Sequence, residues 1–254
     1  MSLILLEKMF DAYFALLPRK KPKAEQVSAA RLIAHRGAHD NAHGVMENTL
    51  MAFRLAAKAG CWGIELDVHA TADQVLVVNH DPTLKRLWGR ELTIAEVSFA
   101  DLRAQVPQIP SLAEVVTEFG GRLHLFIELK TPLHHEDALV AILQDLTPVN
   151  DYHLLSLKDE CFQGLSQVPK QALLLVAVHN NVGTFCDLSF SQHYGGVLGH
   201  YVLITNKCVR RLLAAQQVVG VGFIDSKNSL YRELNRGVSW IFTNHINKIS
   251  PFLK

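Results

Sequence analysis

Two rhythms of apolar and polar positions alternate along the chain. In one, apolar residues crowd into short runs or take every second place, as strands do; in the other they recur every third or fourth place, as on one face of a helix. The first rhythm marks "RLIAHRG", "CWGIELDVHA", "VLVVNHD", "LHLFIELK", "YHLLSL", "ALLLVAV", "GGVLG", "VVGVGFID" and "VSWIFTN" as strands. The second predicts helices over "ENTLMAFRLAAKAG", stopped at Gly60, and over "SLAEVVTEFG", "HEDALVAILQDL", "KDECFQGLSQ", "NKCVRRLLAAQQ" and "SLYRELNRG", while "TFCDLSFSQHY" fits neither pattern cleanly. "VLVVNHD" follows its predecessor so closely that the two read as a hairpin or an extension. About eight strands with helices between them predict an α/β fold with a parallel sheet. At 254 residues, closure into a TIM (β/α)8 barrel is favoured over an open sheet. With no Gly-rich linker inside it, residues 26–254 are expected to form one barrel domain, preceded by an amphipathic helix and basic linker over residues 1–25.

That N-terminal stretch places Leu3, Leu6, Phe10, Tyr13 and Leu17 at helical spacing, groups Glu7, Lys8 and Asp11 elsewhere on the wheel, and ends at Pro18. The basic cluster Arg19, Lys20, Lys21 and Lys23 follows the apolar run instead of preceding it, the reverse of a signal peptide. The helix has two readings: a segment packed on the domain or on a second copy, or a membrane-surface helix giving peripheral contact through residues 1–23. No apolar run reaches the length of a membrane span. The four cysteines form neither a CxxC pair nor a dense framework, so reduced thiols and a cytoplasmic protein are expected, with any membrane contact at the inner surface. A net charge of +1 argues against a nucleic-acid partner.

Polar residues enter the strands late, at "HRG", "ELD", "NHD" and "ELK", which in a closed barrel is the C-terminal rim, where active sites lie. Strand alternation puts Glu65, Asp67 and His69 on one face, and Glu128 with Lys130 on one face of another strand. Three converging carboxylates suit one hard divalent cation, Mg²⁺ or Ca²⁺, with a cluster neutralised by Lys130 and Arg36 alone as the competing reading. His35, His39, His43 and Glu47 are spaced by four, as helical zinc ligands would be. Gly37, Asn41 and Gly44 make a helix there improbable, so His39 and His43 are read as solvated loop residues and Asn48 or Thr49 as the cap of the helix that follows. His35 and His80 at the rim, beside Arg36 and a divalent cation, are the parts of an acid/base hydrolase acting on a phosphate ester.

In order, "HRG" with "ENT", then "ELDVHATADQVLVVNHDPTLKRLWG", "IPSLAEVV" and "IELK" resemble the glycerophosphodiester phosphodiesterase family of the phospholipase C-like phosphodiesterase barrels. The resemblance implies His35 and His80 as the acid/base pair, Glu65, Asp67 and Glu128 as ligands of Mg²⁺ or Ca²⁺, and Arg36 and Lys130 as phosphate contacts. It implies hydrolysis of a glycerophosphodiester, such as glycerophosphocholine or glycerophosphoethanolamine, to glycerol 3-phosphate and an alcohol. His69 belongs to none of the family's motifs. Met46 stands where a proline usually precedes "ENT", Gly222 or Phe223 stands near an expected tryptophan, and Asn244 replaces the aspartate of a closing "TD". The missing indole alters the wall that holds the substrate, and the short gap between "NHDP" and "IPSL" predicts an open site. Two further readings are a lysophospholipase D-type activity on membrane lysolipids and an inactive barrel that binds phosphodiesters.

Overall fold

A computed structural model describes residues 12–133, 136–178 and 181–253. Its strands are β1 (Arg31–His35), β2 (Gly63–Ala70), β3 (Leu76–Val78), β4 (His124–Leu129), β5 (Tyr152–Ser156), β6 (Leu173–Ala177), β7 (Gly196–His200), β8 (Val218–Gly222) and β9 (Trp240–Thr243). They are hydrogen-bonded in the order β1-β9-β8-β7-β6-β5-β4-β2-β3, and β1 also pairs with β2 in parallel, Ile33 opposite Gly63. The eight parallel strands therefore close into a TIM barrel. β3 runs antiparallel to the far end of β2, Val68 opposite Val78, as the hairpin reading anticipates. The labelled helices are α1 (Ala24–Ser28), α2 (Leu50–Lys58), α3 (Lys85–Trp88), α4 (Phe99–Gln105), α5 (Leu112–Phe119), α6 (Glu136–Leu143), α7 (Glu160–Gln163), α8 (Val182–Gln192), α9 (Asn206–Ala214), α10 (Lys227–Asn235) and α11 (Ile246–Ile249). The ambiguous "TFCDLSFSQHY" lies mostly in α8.

Alternation sorts each strand into two cores. Ile64, Leu66 and Val68 of β2 and Leu125, Ile127 and Leu129 of β4 pack outward against the helices, where α2 contributes Phe53 and α5 contributes Phe119, ring centroids 5.9 Å apart. Ile33, Phe126, Leu155, Leu174, Leu198 and Phe242 fill the lumen, so the barrel is packed and has no pore. Beneath them Trp62 stacks on His124 at 4.4 Å and lies 5.4 Å from Trp240, closing the bottom. Thr49 and Ser111 start α2 and α5 by accepting bonds from Ala52 N and Glu114 N, and Glu114 completes a capping box on the second.

Residues between β3 and α5 do more than the short gap suggests. Leu84, Ile94, Leu102, Val106 and Ile109 pack with Val77 of β3 into a separate apolar cluster, which makes this segment a small folded unit and not a bare loop. At the N-terminus residues 12–16 are helical and residue 17 bends before Pro18; Leu3, Leu6 and Phe10 lie outside the described residues. Phe14 meets Tyr201 edge-on at 5.6 Å beneath the guanidinium of Arg232 at 4.8 Å, and Asn228 Nδ2 donates to the Ala15 carbonyl at 2.6 Å. Tyr13 and Leu16 stay exposed. Among the described residues no helix is long and apolar enough to cross a membrane. All four cysteines are free and buried.

Candidate active site

β1 ends in a turn built to hold two functional groups. Arg36 at φ +56° and Gly37 at φ +81° are both left-handed, and a Cβ on Gly37 would lie 2.7 Å from that of Ala52. Only glycine allows the turn to sit this close to α2. The turn aims the Arg36 amide at Glu65 Oε2, 3.0 Å away, and its guanidinium at Glu47 (NH1 to Oε1, 3.0 Å) and Asp67 (Nε to Oδ2, 3.3 Å). His35 lies at the same rim, its Nδ1 donating to Asn244 Oδ1 at 2.7 Å and its Nε2 3.7 Å from Glu65 Oε2. Burial first, then the charge of Arg36, takes the His35 pKa down to about 4.

Glu65 and Asp67 of β2 and Glu128 of β4 are buried, and one oxygen from each lies within 4.8 Å of the others. Asp67 is opposite Glu128 in the strand register, which is why alternation on two strands gathers all three in the lumen. Lys130 Nζ bridges Asp67 Oδ1 at 2.6 Å and Glu128, and Asn48 Nδ2 donates to Asp67 Oδ2 at 2.7 Å. Burial raises Asp67, but Lys130 and Arg36 outweigh it and hold this carboxyl below its usual range. Burial and the neighbouring carboxylates push Glu65 well up. Glu65 Oε1 is buried without a hydrogen-bond partner among the described residues. A buried carboxylate oxygen left open amid two further carboxylates fits a hard divalent cation, and the cations of Lys130 and Arg36 leave that one atom uncompensated.

His80 stands in the turn after β3. Its Nδ1 pairs with Asp81 Oδ1 at 2.7 Å, and burial lowers its pKa. Two residues outside the expected set reach this loop. His69, set aside in the sequence reading, donates from Nε2 to the His80 carbonyl at 3.1 Å. Arg86 spans Asp81 Oδ2 at 2.5 Å and Glu47 Oε1 at 2.6 Å. Burial raises the Glu47 pKa, but Arg86 and Arg36 take it down to about 2, and Glu47 serves both arginines. His43 is exposed as expected, whereas His39 is half-buried with Nε2 3.4 Å from Asn244 Oδ1.

His35, Glu65 and Glu128 form one wall of a cavity of about 310 Å³; much of the facing wall is apolar, with Leu155, Leu198, Leu203, Phe223 and Phe242. Gly222 and Phe223, the two residues near the expected indole, both line this cavity. Phe223 is at φ +63° and 44% exposed, and its ring sits 5.5 Å from that of His35. A left-handed backbone at a bulky residue is uncommon and marks a constrained corner of the site.

The class is now defined: a TIM barrel whose lumen gathers three buried carboxylates able to hold a metal ion, with histidine, arginine and lysine side chains beside them. Residues 35–170 match the Glycerophosphoryl diester phosphodiesterase family, and the chain belongs to it. It is 34% identical over 152 residues to glycerophosphodiester phosphodiesterase 1 of Mus musculus, covering 53% of this chain and 44% of that protein. It is 38% identical over 91 residues to a lysophospholipase D of Homo sapiens, covering 35% of this chain and 27% of that one. The chain thus spans less than half the length of these two curated relatives. Among solved structures, a phosphodiesterase of Oleispira antarctica in complex with the product sn-glycerol-3-phosphate superposes with a TM-score of 0.72 at 22% identity. That match covers 88% of this chain and 96% of that one.

Proposed function

We propose that this protein hydrolyses glycerophosphodiesters such as glycerophosphocholine or glycerophosphoethanolamine to glycerol 3-phosphate and an alcohol. The observation that carries the reading is the open, buried oxygen of Glu65 inside a carboxylate cluster that shares one cavity with His35. Glu65, Asp67 and Glu128 would hold Mg²⁺ or Ca²⁺, which when bound supplies positive charge to the phosphoryl oxygens. Arg36 and Lys130 orient the phosphate by charge-assisted hydrogen bonds. One of His35 and His80 takes the proton of the attacking oxygen and the other returns one to the leaving alcohol as its P–O bond breaks. His35 suits a proton-accepting role in geometry: Asn244 occupies Nδ1, which leaves Nε2 toward the cavity.

The test is release of glycerol 3-phosphate from glycerophosphocholine by the purified chain, after chelation and with Mg²⁺ or Ca²⁺ restored. His35→Ala and His80→Ala are each expected to lower kcat by roughly 10²-fold or more. No turnover of any glycerophosphodiester with either cation would leave the inactive, phosphodiester-binding barrel as the better reading.

A second reading, lysophospholipase D-type cleavage of lysolipids, is favoured by the wall opposite the carboxylates. Leu155, Leu198, Leu203, Phe223 and Phe242 suit an apolar arm better than the hydroxyls of free glycerol. Choline release from lysophosphatidylcholine against release from glycerophosphocholine separates the two. Peripheral membrane contact through residues 1–23 belongs to this second reading, and Tyr13 and Leu16, both exposed, are its described apolar positions.

A further inference from the structure

His80 poses a mechanical problem. It lies in a turn beyond a three-residue strand, so the barrel ladder that fixes Glu65, Asp67 and Glu128 does not fix its ring. We propose that His69, Asp81 and Arg86 are positioning residues for His80, and that Arg86, through Glu47, sets His80 and Arg36 as one unit. The proposal rests on the role given to His80 above.

Four contacts define the device. Asp81 Oδ1 faces His80 Nδ1 at 2.7 Å, and a carboxylate accepts only, so the proton sits on Nδ1 and Nε2 is left for the reactants. Arg86 then immobilises the carboxylate: its Nε takes Asp81 Oδ2 while its NH2 takes Glu47 Oε1, the same oxygen that receives Arg36 NH1 at 3.0 Å. Glu47 is itself fixed by Asn41, whose Nδ2 donates to Oε2 at 3.0 Å and whose Oδ1 accepts from the Glu47 amide at 2.8 Å. From the other side His69 Nε2 donates to the His80 carbonyl, pinning the backbone while Asp81 pins the ring. His69 is 8% exposed and shares the alternating face of β2 with Glu65 and Asp67, which accounts for a histidine in that series. Asn79 adds a lock, donating from Nδ2 to the Asp81 carbonyl at 2.7 Å and accepting from Trp88 Nε1 at 3.0 Å. The α3 segment is thereby tied to the loop it holds.

The experiment uses the full chain and five variants, His80→Ala among them. Ring-nitrogen NMR is expected to show His80 in the wild type with Nδ1 protonated and Nε2 bare, and Asp81→Asn to give mixed tautomers. Asp81→Asn is expected to lower kcat roughly 10²-fold with KM changed less than about threefold, since proton transfer and not binding is lost. Arg86→Met disturbs Arg36 as well, so kcat should fall and KM rise together. His69→Phe is expected to lower kcat about tenfold, and His69→Gln, which restores a donor near Nε2, to recover most of it; circular dichroism checks that each variant folds. Bare Nδ1 on His80 in the wild type, or Asp81→Asn with wild-type kcat, overturns the inference. If wild type turns over and His80→Ala does not while Asp81→Asn is normal, only the positioning device fails. A wild type with no turnover removes both it and the reading it rests on.

Discussion

At the scale of single residues, the site depends on atoms that have no slack. Gly37→Ala asks an alanine to hold φ +81° with its methyl 2.7 Å from the Ala52 side chain and 2.9 Å from its backbone. Strain and overlap together should cost about 2 kcal/mol or more, read as a lower urea midpoint. Because the displaced turn carries His35 and Arg36, kcat should fall in the same variant. Glu65 gives the opposite kind of prediction. Its carboxylate crowds two others, and the one bond seen on it, from the Arg36 amide to Oε2, survives an amide oxygen. Glu65→Gln should therefore leave the cation-free protein as stable as wild type or more so, while abolishing the rise in Tm that Mg²⁺ or Ca²⁺ produces in wild type. A scanning-fluorimetry titration checks both halves, and a retained cation-induced shift would remove Glu65 from the ligand set. A glutamate whose loss stabilises the empty protein is one held in place for what it binds.

At the scale of elements, β2 and β4 were legible because alternation is a strong signal when one face is carboxylate and the other Ile, Leu and Val. The helices over α2 and α5 were legible through periodicity, and the start of α2 through the pair Asn48 and Thr49, of which Thr49 is the cap. The segment between β3 and α5 was not, since its apolar residues pack into a local cluster with neither period. The link from Arg86 to Glu47 joins residues in different loops, and sequence spacing does not report it. Nor did anything in "LHLFIELK" and "YHLLSL" reveal that His124 and His153 meet beneath the barrel, where alternation faces both inward. His124 Nδ1 donates to the Asn150 carbonyl at 3.0 Å, which leaves its Nε2 to accept from His153 Nδ1 at 2.7 Å and requires the His124 ring to be neutral. Burial takes His124 down to about 4; burial and then the charge of His124 take His153 down to about 3. The folded pKa values lie below the ordinary 6.5, so the unfolded chain binds more protons between that value and the folded ones. Stability is then full above about pH 6.5 and falls as the pH drops toward 4, by up to about 1.4 kcal/mol per unit for each ring. Urea unfolding at pH 7 and pH 5 should show wild type losing a few kcal/mol, and His153→Leu losing visibly less over the same interval. Equal losses would exclude the pair as a source of acid lability.

At the scale of the whole molecule, the path of the N-terminal chain constrains the lipid contact that the second reading proposes. Helix α10 follows β8, so it starts at the rim that carries the site and ends at the opposite face. Asn228 near its start holds the Ala15 carbonyl, and Asn235 at its end holds the Lys20 carbonyl at 2.8 Å. Residues 15–20 therefore run down the length of α10. The basic cluster expected to flank a membrane helix lies toward the far end of the barrel, while exposed Tyr13 and Leu16 stay near the mouth. From Phe14 a line of rings leads inward: Tyr201 at 5.6 Å, His200 at a further 4.9 Å, Phe223 at 5.3 Å and the His35 ring at 5.5 Å. A lipid surface meeting the mouth would touch the apolar end of this segment and miss its lysines. Turnover of lysophosphatidylcholine in micelles should therefore resist added salt, because screening acts on charges that are not at the contact. The double variant Tyr13→Ser, Leu16→Ser should raise KM for that substrate severalfold and leave glycerophosphocholine turnover unchanged. Loss of lysolipid turnover in salt, with the double variant behaving as wild type, would instead place the contact at Arg19, Lys20, Lys21 and Lys23.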